Sequence, residues 1–269
     1  MRRALLALAA AAALSGCDRG KEAPPPAPAP APAPAPLAGP LTYEKKTPAA
    51  EVSLSLPERV GQIPALYAQL FAQRRNELDA FAEGAVEDVE ARRAAGGPAE
   101  PLARQVDYTL SAETPRLLSL GVSIYENSGG AHPNGWMESL IWDKAAARPV
   151  TTADLFAPGA DMSAADAALC DRLKAQKIER TGRAEFSGDF TDCPPLKETT
   201  VALAPSTTPG KAGGLVVAFS PYQVGPYVEG SYEIELPLTA FRSTLAPAWA
   251  GEFDGAPAPV PDKPAPPKE

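Results

Sequence analysis

His132 is the sole histidine of the chain, and it sits in Ser123–Asn134, SIYENSGGAHPN, behind two glycines and before a proline. Imidazole is the side chain best placed to take or give a proton near neutral pH, so this loop is the first place to look for chemistry. A general base needs a nucleophile or an activated water beside it, and neither Ser128 nor Asp143 has a recognisable motif around it. In an enzyme, His132 would have to be paired with a carboxylate such as Glu126, Glu138 or Asp143. G-x-S-x-G, H-E-x-x-H, G-x-x-x-x-G-K and the Rossmann glycine pattern are all missing. Gly129 and Gly130 open backbone conformations closed to other residues, and Pro133 fixes the exit, so the histidine is held in a defined loop. Three roles follow for it: bonding backbone groups to lock the loop over a sheet; contacting a sugar or a protein together with Gly129, Gly130, Asn134 and Trp136; or catalysis. No residue is assigned a catalytic role.

A second candidate surface is the late segment Phe219–Tyr227, FSPYQVGPY. Tyr222 and Tyr227 offer flat apolar rings with a polar tip, suited to sugars and protein partners. The plainer alternative is a turn whose aromatic rings pack back onto the sheet. The chain has three cysteines. If Cys17 takes lipid, Cys170 and Cys193 remain as a pair, and export favours a disulfide between them. Two free thiols or a metal pair are the alternatives. Metal is disfavoured, since neither cysteine lies in a CxxC and there is one histidine. Neither metal nor cofactor is expected.

The elements that position these residues begin after an export signal. Arg2 and Arg3, an apolar run from Ala4 to Leu14 and Leu14-Ser15-Gly16-Cys17 read as a lipoprotein signal peptide over residues 1–16, with Cys17 lipidated. The run is shorter than the roughly 20 residues of a spanning helix. Residues 17–40 form a proline and alanine tether, extended at about 3.1 Å per residue. The expected location is therefore the periplasm or cell exterior, anchored to the membrane through lipid. Residues 254–269 read as a disordered proline-rich tail. The formal charge of −8 argues against nucleic acid as a partner.

The body is expected to be α+β, a mostly antiparallel sheet packed against a few helices. Residues 41–98 read as an N-terminal module. There Val52, Leu54 and Leu56 alternate as a strand, and Leu66, Leu70, Phe71, Leu78, Phe81 and Val89 line one face of a long amphipathic helix running to Ala95. Arg74, Arg75, Glu77 and Asp79 are assigned to its solvated side, and Gly96-Gly97-Pro98 stops it. Residues 99–253 read as a second module. Its strands are Val106 to Leu110, Leu118 to Ile124, Trp136 to Trp142, Leu215 to Phe219 and Tyr232 to Leu236, with a helix from Ala164 to Arg180. The strands flanking the Asn127–Gly135 loop are expected to pair antiparallel.

Three stretches in this order, SIYENSGGAHPN, ADLF at Ala153–Phe156 and FSPYQVGPY, resemble the extracytoplasmic module shared by the lysozyme-sensing anti-sigma factor RsiV and the peptidoglycan deacetylase PdaC. The strand and long helix upstream, with Asn76, look like the smaller module that precedes it. The deacetylase activity of such relatives resides in a separate domain with several zinc-binding histidines, and this chain has only His132. The cytoplasmic sigma-binding segment and transmembrane helix of the anti-sigma factor are not read here either. The resemblance implies cell-wall surroundings and a module able to bind lysozyme. The expected function is a non-enzymatic envelope lipoprotein that binds a cell-wall component such as peptidoglycan, or a lysozyme-like hydrolase. A glycan-modifying enzyme using the loop around His132 is the alternative.

Overall fold

The computed structural model of the protein describes residues 36–97, 99–183 and 192–259. The signal segment, Cys17, most of the tether and the tail beyond residue 259 lie outside the described residues. Nine strands and four α-helices are described, so the fold is α+β as the residue pattern predicts. Strands β1 (Thr42–Lys46), β2 (Ala50–Ser55), β3 (Leu102–Glu113), β4 (Leu117–Asn127), β5 (Asn134–Asp143) and β6 (Arg148–Val150) lie side by side in that order in one six-stranded sheet. Its neighbours pair antiparallel except β2 and β3, which are parallel. The chain returns between those two through α1 (Glu58–Gly61) and the long α2 (Pro64–Ala94), the crossover that parallel neighbours require. The sheet therefore runs across residues 98 and 99, where the sequence suggests a module boundary.

Strand periodicity sorts the side chains of this sheet. On β4, Leu118, Leu120, Val122 and Ile124 are buried towards α2, with Val52, Leu54, Leu66, Leu70, Leu78 and Val89 in the same core. The intervening Ser119, Gly121, Ser123 and Tyr125 point to the opposite face. The buried stripe of α2 runs Leu66, Leu70, Leu78, Ala82, Ala85 and Val89. Gly96, at a φ of 73°, ends the helix in the left-handed conformation, with its N–H and that of Gly97 returning to the Arg93 and Arg92 carbonyls. One assignment is corrected here. Arg74 stands in the stripe one turn after Leu70 and is largely buried rather than solvated. Its guanidinium donates to the Tyr108 hydroxyl (2.7 Å), to Glu77 (2.7 Å) and to Glu138. Burial is tolerated because its donors meet acceptors from the helix and from two strands.

A second sheet, β7 (Thr200–Pro205), β8 (Ala212–Phe219) and β9 (Tyr232–Pro237), is an antiparallel meander. It shares a second core with α3 (Ser163–Thr181), in which Leu169 and Leu173 meet Leu215, Val217 and Ile234. The free edge of β7 lies on the face of the first sheet away from α2. Ser119 accepts from the Leu203 N–H, Ser111 donates to the Leu203 carbonyl, and Ser139 donates to the Val201 carbonyl. Serines at these strand positions thus satisfy an edge that would otherwise be open. Farther along, the Ala258 N–H reaches the Pro205 carbonyl and the Thr207 N–H the Ala256 carbonyl, so the chain is held to the body well past residue 254, where the residue pattern starts the tail. A short helix, α4 (Pro247–Ala250), places Trp249 in the second core. Cys170 on α3 and Cys193 are joined in a disulfide, Cα to Cα 5.5 Å.

Candidate functional site

The two loops singled out in the sequence meet, although 94 residues separate the side chain from the carbonyl that joins them. The Tyr227 hydroxyl donates to the Pro133 carbonyl at 2.7 Å. His132 Nδ1 lies 2.9 Å from the same oxygen, whose second lone pair can accept it in the tautomer protonated there. The His132 and Tyr227 rings stack at 4.1 Å between centroids, and Tyr222 adjoins Tyr227 at 5.8 Å. His132 therefore serves both the loop lock and the exposed surface.

Each loop is held from behind. On the first, Asn127 Oδ1 accepts the Gly129 N–H at 2.9 Å, an Asx turn, and Arg92 at the end of α2 donates to the Ser128 carbonyl at 2.6 Å. Gly129 has a φ of 73°, and a Cβ there would strike the Arg92 guanidinium. On the second loop, Ser220 accepts the Met137 N–H on the open edge of β5. Lys177, 1% exposed on α3, donates to the Val224 carbonyl and to Glu229, which also accepts from the Tyr232 hydroxyl. Burial would raise the Glu229 carboxyl, but the hydrogen bonds from Lys177 and Tyr232 outweigh it and leave its pKa below the ordinary 4.5. Arg180 adds donors to the Glu229 and Ser231 carbonyls. Gly225 permits the close approach, since a Cβ there would meet the Glu229 carboxylate.

What this frame presents is apolar and aromatic. Tyr222 is 56% exposed and Val228 87%. Tyr222 adopts a φ of 69°, a conformation that costs a non-glycine residue about 1–2 kcal/mol, and its N–H bonds the Gly225 carbonyl. Gly130 and Asn134 are exposed in the first loop. Trp136 goes elsewhere: it faces the α2 side, where its indole N–H points to Glu138 at 3.3 Å and Arg104 lies over its ring.

The carboxylates that catalysis by His132 would need are engaged by arginines. Glu126 pairs with Arg104, Glu138 with Arg74, and the buried Asp143 with Arg116. Asp143 also accepts the Ala145 and Ala146 N–H groups, which makes it the cap of the turn into β6; its carboxyl is lowered chiefly by Arg116. No group of histidine, cysteine and acidic residues able to hold a metal occurs among the described residues. Arg92, Lys177, Arg180 and Val228 are the parts of the site that residue patterns did not single out. The three cations stand on ordinary helical positions, and nothing in their local sequence marks what they reach.

Two family models match along the chain, and the first runs past residue 98. Residues 43–135 match the family model described as deacetylase PdaC, and residues 153–239 that of a protein of unknown function, DUF3298. No curated protein matches the chain. Among solved structures, a DUF3298 family member from Bacteroides fragilis NCTC 9343 is 16% identical with a TM-score of 0.53, over 76% of this chain and 88% of that one. A DUF3298 family protein from Pseudomonas aeruginosa PAO1 is 19% identical with a TM-score of 0.49, over 81% of this chain and 99% of that one. The chain therefore carries a PdaC-like domain followed by a DUF3298 domain, the make-up of a PdaC/RsiV-like module.

Proposed function

We propose that this protein is an envelope-tethered binding module without catalysis of its own, and that the platform of His132, Tyr222, Tyr227 and Val228 holds a lysozyme-like hydrolase. The PdaC-like and DUF3298 domains indicate an envelope-associated module. The observation that carries the finer reading is the interlocked pair of loops. Two segments far apart in sequence are fixed to one another through Pro133 and anchored by Arg92 and Lys177, while an exposed tyrosine is kept in a strained conformation. Rigid, exposed aromatic side chains make favourable contacts at low entropic cost, which suits recognition of a partner. The commitment of Glu126, Glu138 and Asp143 to arginines favours binding over a catalytic His132. Lipidation of Cys17 and a proline tether would hold the module on the outer side of a membrane.

The test is calorimetry of the purified full-length protein with lysozyme at about 0.15 M salt, where the Debye length is about 8 Å. One-to-one binding that persists in added salt and is lost in Tyr222→Ala supports the proposal. Heat that vanishes with salt refutes it, because a chain of charge −8 attracts any basic protein without specificity.

A further inference from the structure

We propose a second binding surface, for an extended glycan, on the part of the six-stranded sheet that neither α2 nor the second sheet covers. It centres on Tyr125 and is distinct from the loop platform, which it adjoins at Met137, whose N–H is bonded to Ser220. The strand register sets out a row across five strands. Glu44 pairs with Ser53, Ser53 with Gln105, Gln105 with Tyr125, and Tyr125 with Gly135. A parallel row runs Thr42, Ser55, Asp107, Ser123 and Met137. At about 4.8 Å per strand, four steps give a track roughly 19 Å long.

Three features of this face point to a ligand. First, Tyr125 is 39% exposed, and its partner across the strands is Gly135, which brings no side chain to the face. Second, its surroundings are flat and polar. Ser53, Ser55 and Ser123 are short, while Gln105, Asp107 and Glu44 are exposed. Third, none of Glu44, Ser53, Ser55, Gln105, Asp107, Ser123 or Tyr125 makes a side-chain hydrogen bond or ion pair among the described residues. The same sheet's other face contrasts with it: there Arg74, Arg104, Glu126 and Glu138 pair with one another. Deeper along the first sheet, the serines at 111, 119 and 139 are consumed by β7.

An aromatic ring among unused hydroxyl, amide and carboxylate groups matches a polyhydroxylated chain, whose C–H faces stack on the ring while its hydroxyls take the polar groups. A peptide strand would instead seek backbone groups at a sheet edge, and those lie along β1 and along β5 and β6 rather than on this face.

The test is titration of the full-length protein with the N-acetylglucosamine tetramer chitotetraose, followed by calorimetry. Tyr125→Ala is expected to weaken binding about tenfold and Gln105→Ala a few-fold, while Tyr125→Trp retains it. Unchanged melting temperatures verify that the fold survives. Lysozyme binding by Tyr125→Ala, and chitotetraose binding by Tyr222→Ala, should both stay at the level of the unmodified protein. Absence of heat at millimolar tetrasaccharide overturns the proposal. So does binding that survives Tyr125→Ala but is lost in Tyr222→Ala, which would move the glycan to the loops. Neither result bears on lysozyme binding, which its own titration measures.

Discussion

Replacing Lys177 by methionine should destabilise the fold by about 3 kcal/mol and loosen the second loop of the platform. The magnitude follows from burial. Lys177 is 1% exposed and its partner Glu229 13%, so removing the cation strands a carboxylate in the protein, where breaking a buried pair costs about 3–5 kcal/mol. The low end of that range applies because the Tyr232 hydroxyl still donates to Glu229 at 2.6 Å and the carboxyl can take a proton. For a body of this size the loss corresponds to about 6–12 °C in melting temperature. The pH dependence separates this account from a simple packing defect. In the unmodified protein the Glu229 pKa is lowered, so the stability it contributes is present above the ordinary 4.5 and is lost as pH falls through the folded value. In the variant the largest remaining influence is burial, which raises the pKa, so acid should relieve the defect. Urea unfolding at pH 7 and pH 4 is the assay. The deficit should be about 3 kcal/mol at pH 7 and clearly smaller at pH 4. A deficit under about 1 kcal/mol, the worth of an exposed pair, or one that does not change with pH, would refute the reasoning.

Serine at both Cys170 and Cys193 should lower stability by about 3 kcal/mol, since the bridge closes a loop of sequence separation 23; equal denaturation midpoints with and without the bridge would contradict this. Arg74→Leu should cost about 2–4 kcal/mol in urea unfolding, because the Tyr108 hydroxyl and Glu138 lose their common donor beneath α2, whereas a surface arginine would cost under about 0.5 kcal/mol. Gly129→Ala should destabilise by about 1–2 kcal/mol through its φ of 73° and displace Arg92. Proteolysis in the first loop should then accelerate, while an unchanged cleavage rate would show that Arg92 does not hold it. Tyr227→Phe removes the bond to Pro133 and should cost about 1 kcal/mol, read from the shift in urea midpoint.

Much of the fold is legible in the sequence because the signals are local. The period of two in Leu118, Leu120, Val122 and Ile124 marks β4 and its buried face, and the spacing of Leu66, Leu70, Leu78 and Val89 marks α2. Gly96 and Gly97 mark its end. Three strands leave no such signal, among them the three-residue β6, which is too short to show a period. β1, at the edge, reads TYEKK with no buried residue, and β7 reads TVALAP, a nearly continuous buried run with no alternation to reveal it. Arg74 reads as solvated because charge is normally a surface signal. Its position one turn from Leu70 points inward, and the partners that make burial tolerable come from β3 and β5.

The candidate site divides in the same way. By itself the sequence determined which segments were special, through GGAHPN and PYQVGPY, and it determined the α+β class and the pairing of β4 with β5. It also brought out Cys170 and Cys193 as a pair, with a disulfide the favoured reading. Only the tertiary structure decided that Tyr227 would bond Pro133, that Trp136 would turn towards α2, and that Arg92 and Lys177 would hold the loops. It also decided that Glu126, Glu138 and Asp143 would serve arginines rather than His132. The physical reason is range. Backbone preference and side-chain periodicity act over a few residues and leave a trace in each segment, whereas a partner across the fold is chosen by where two sheets and two helices bring side chains together.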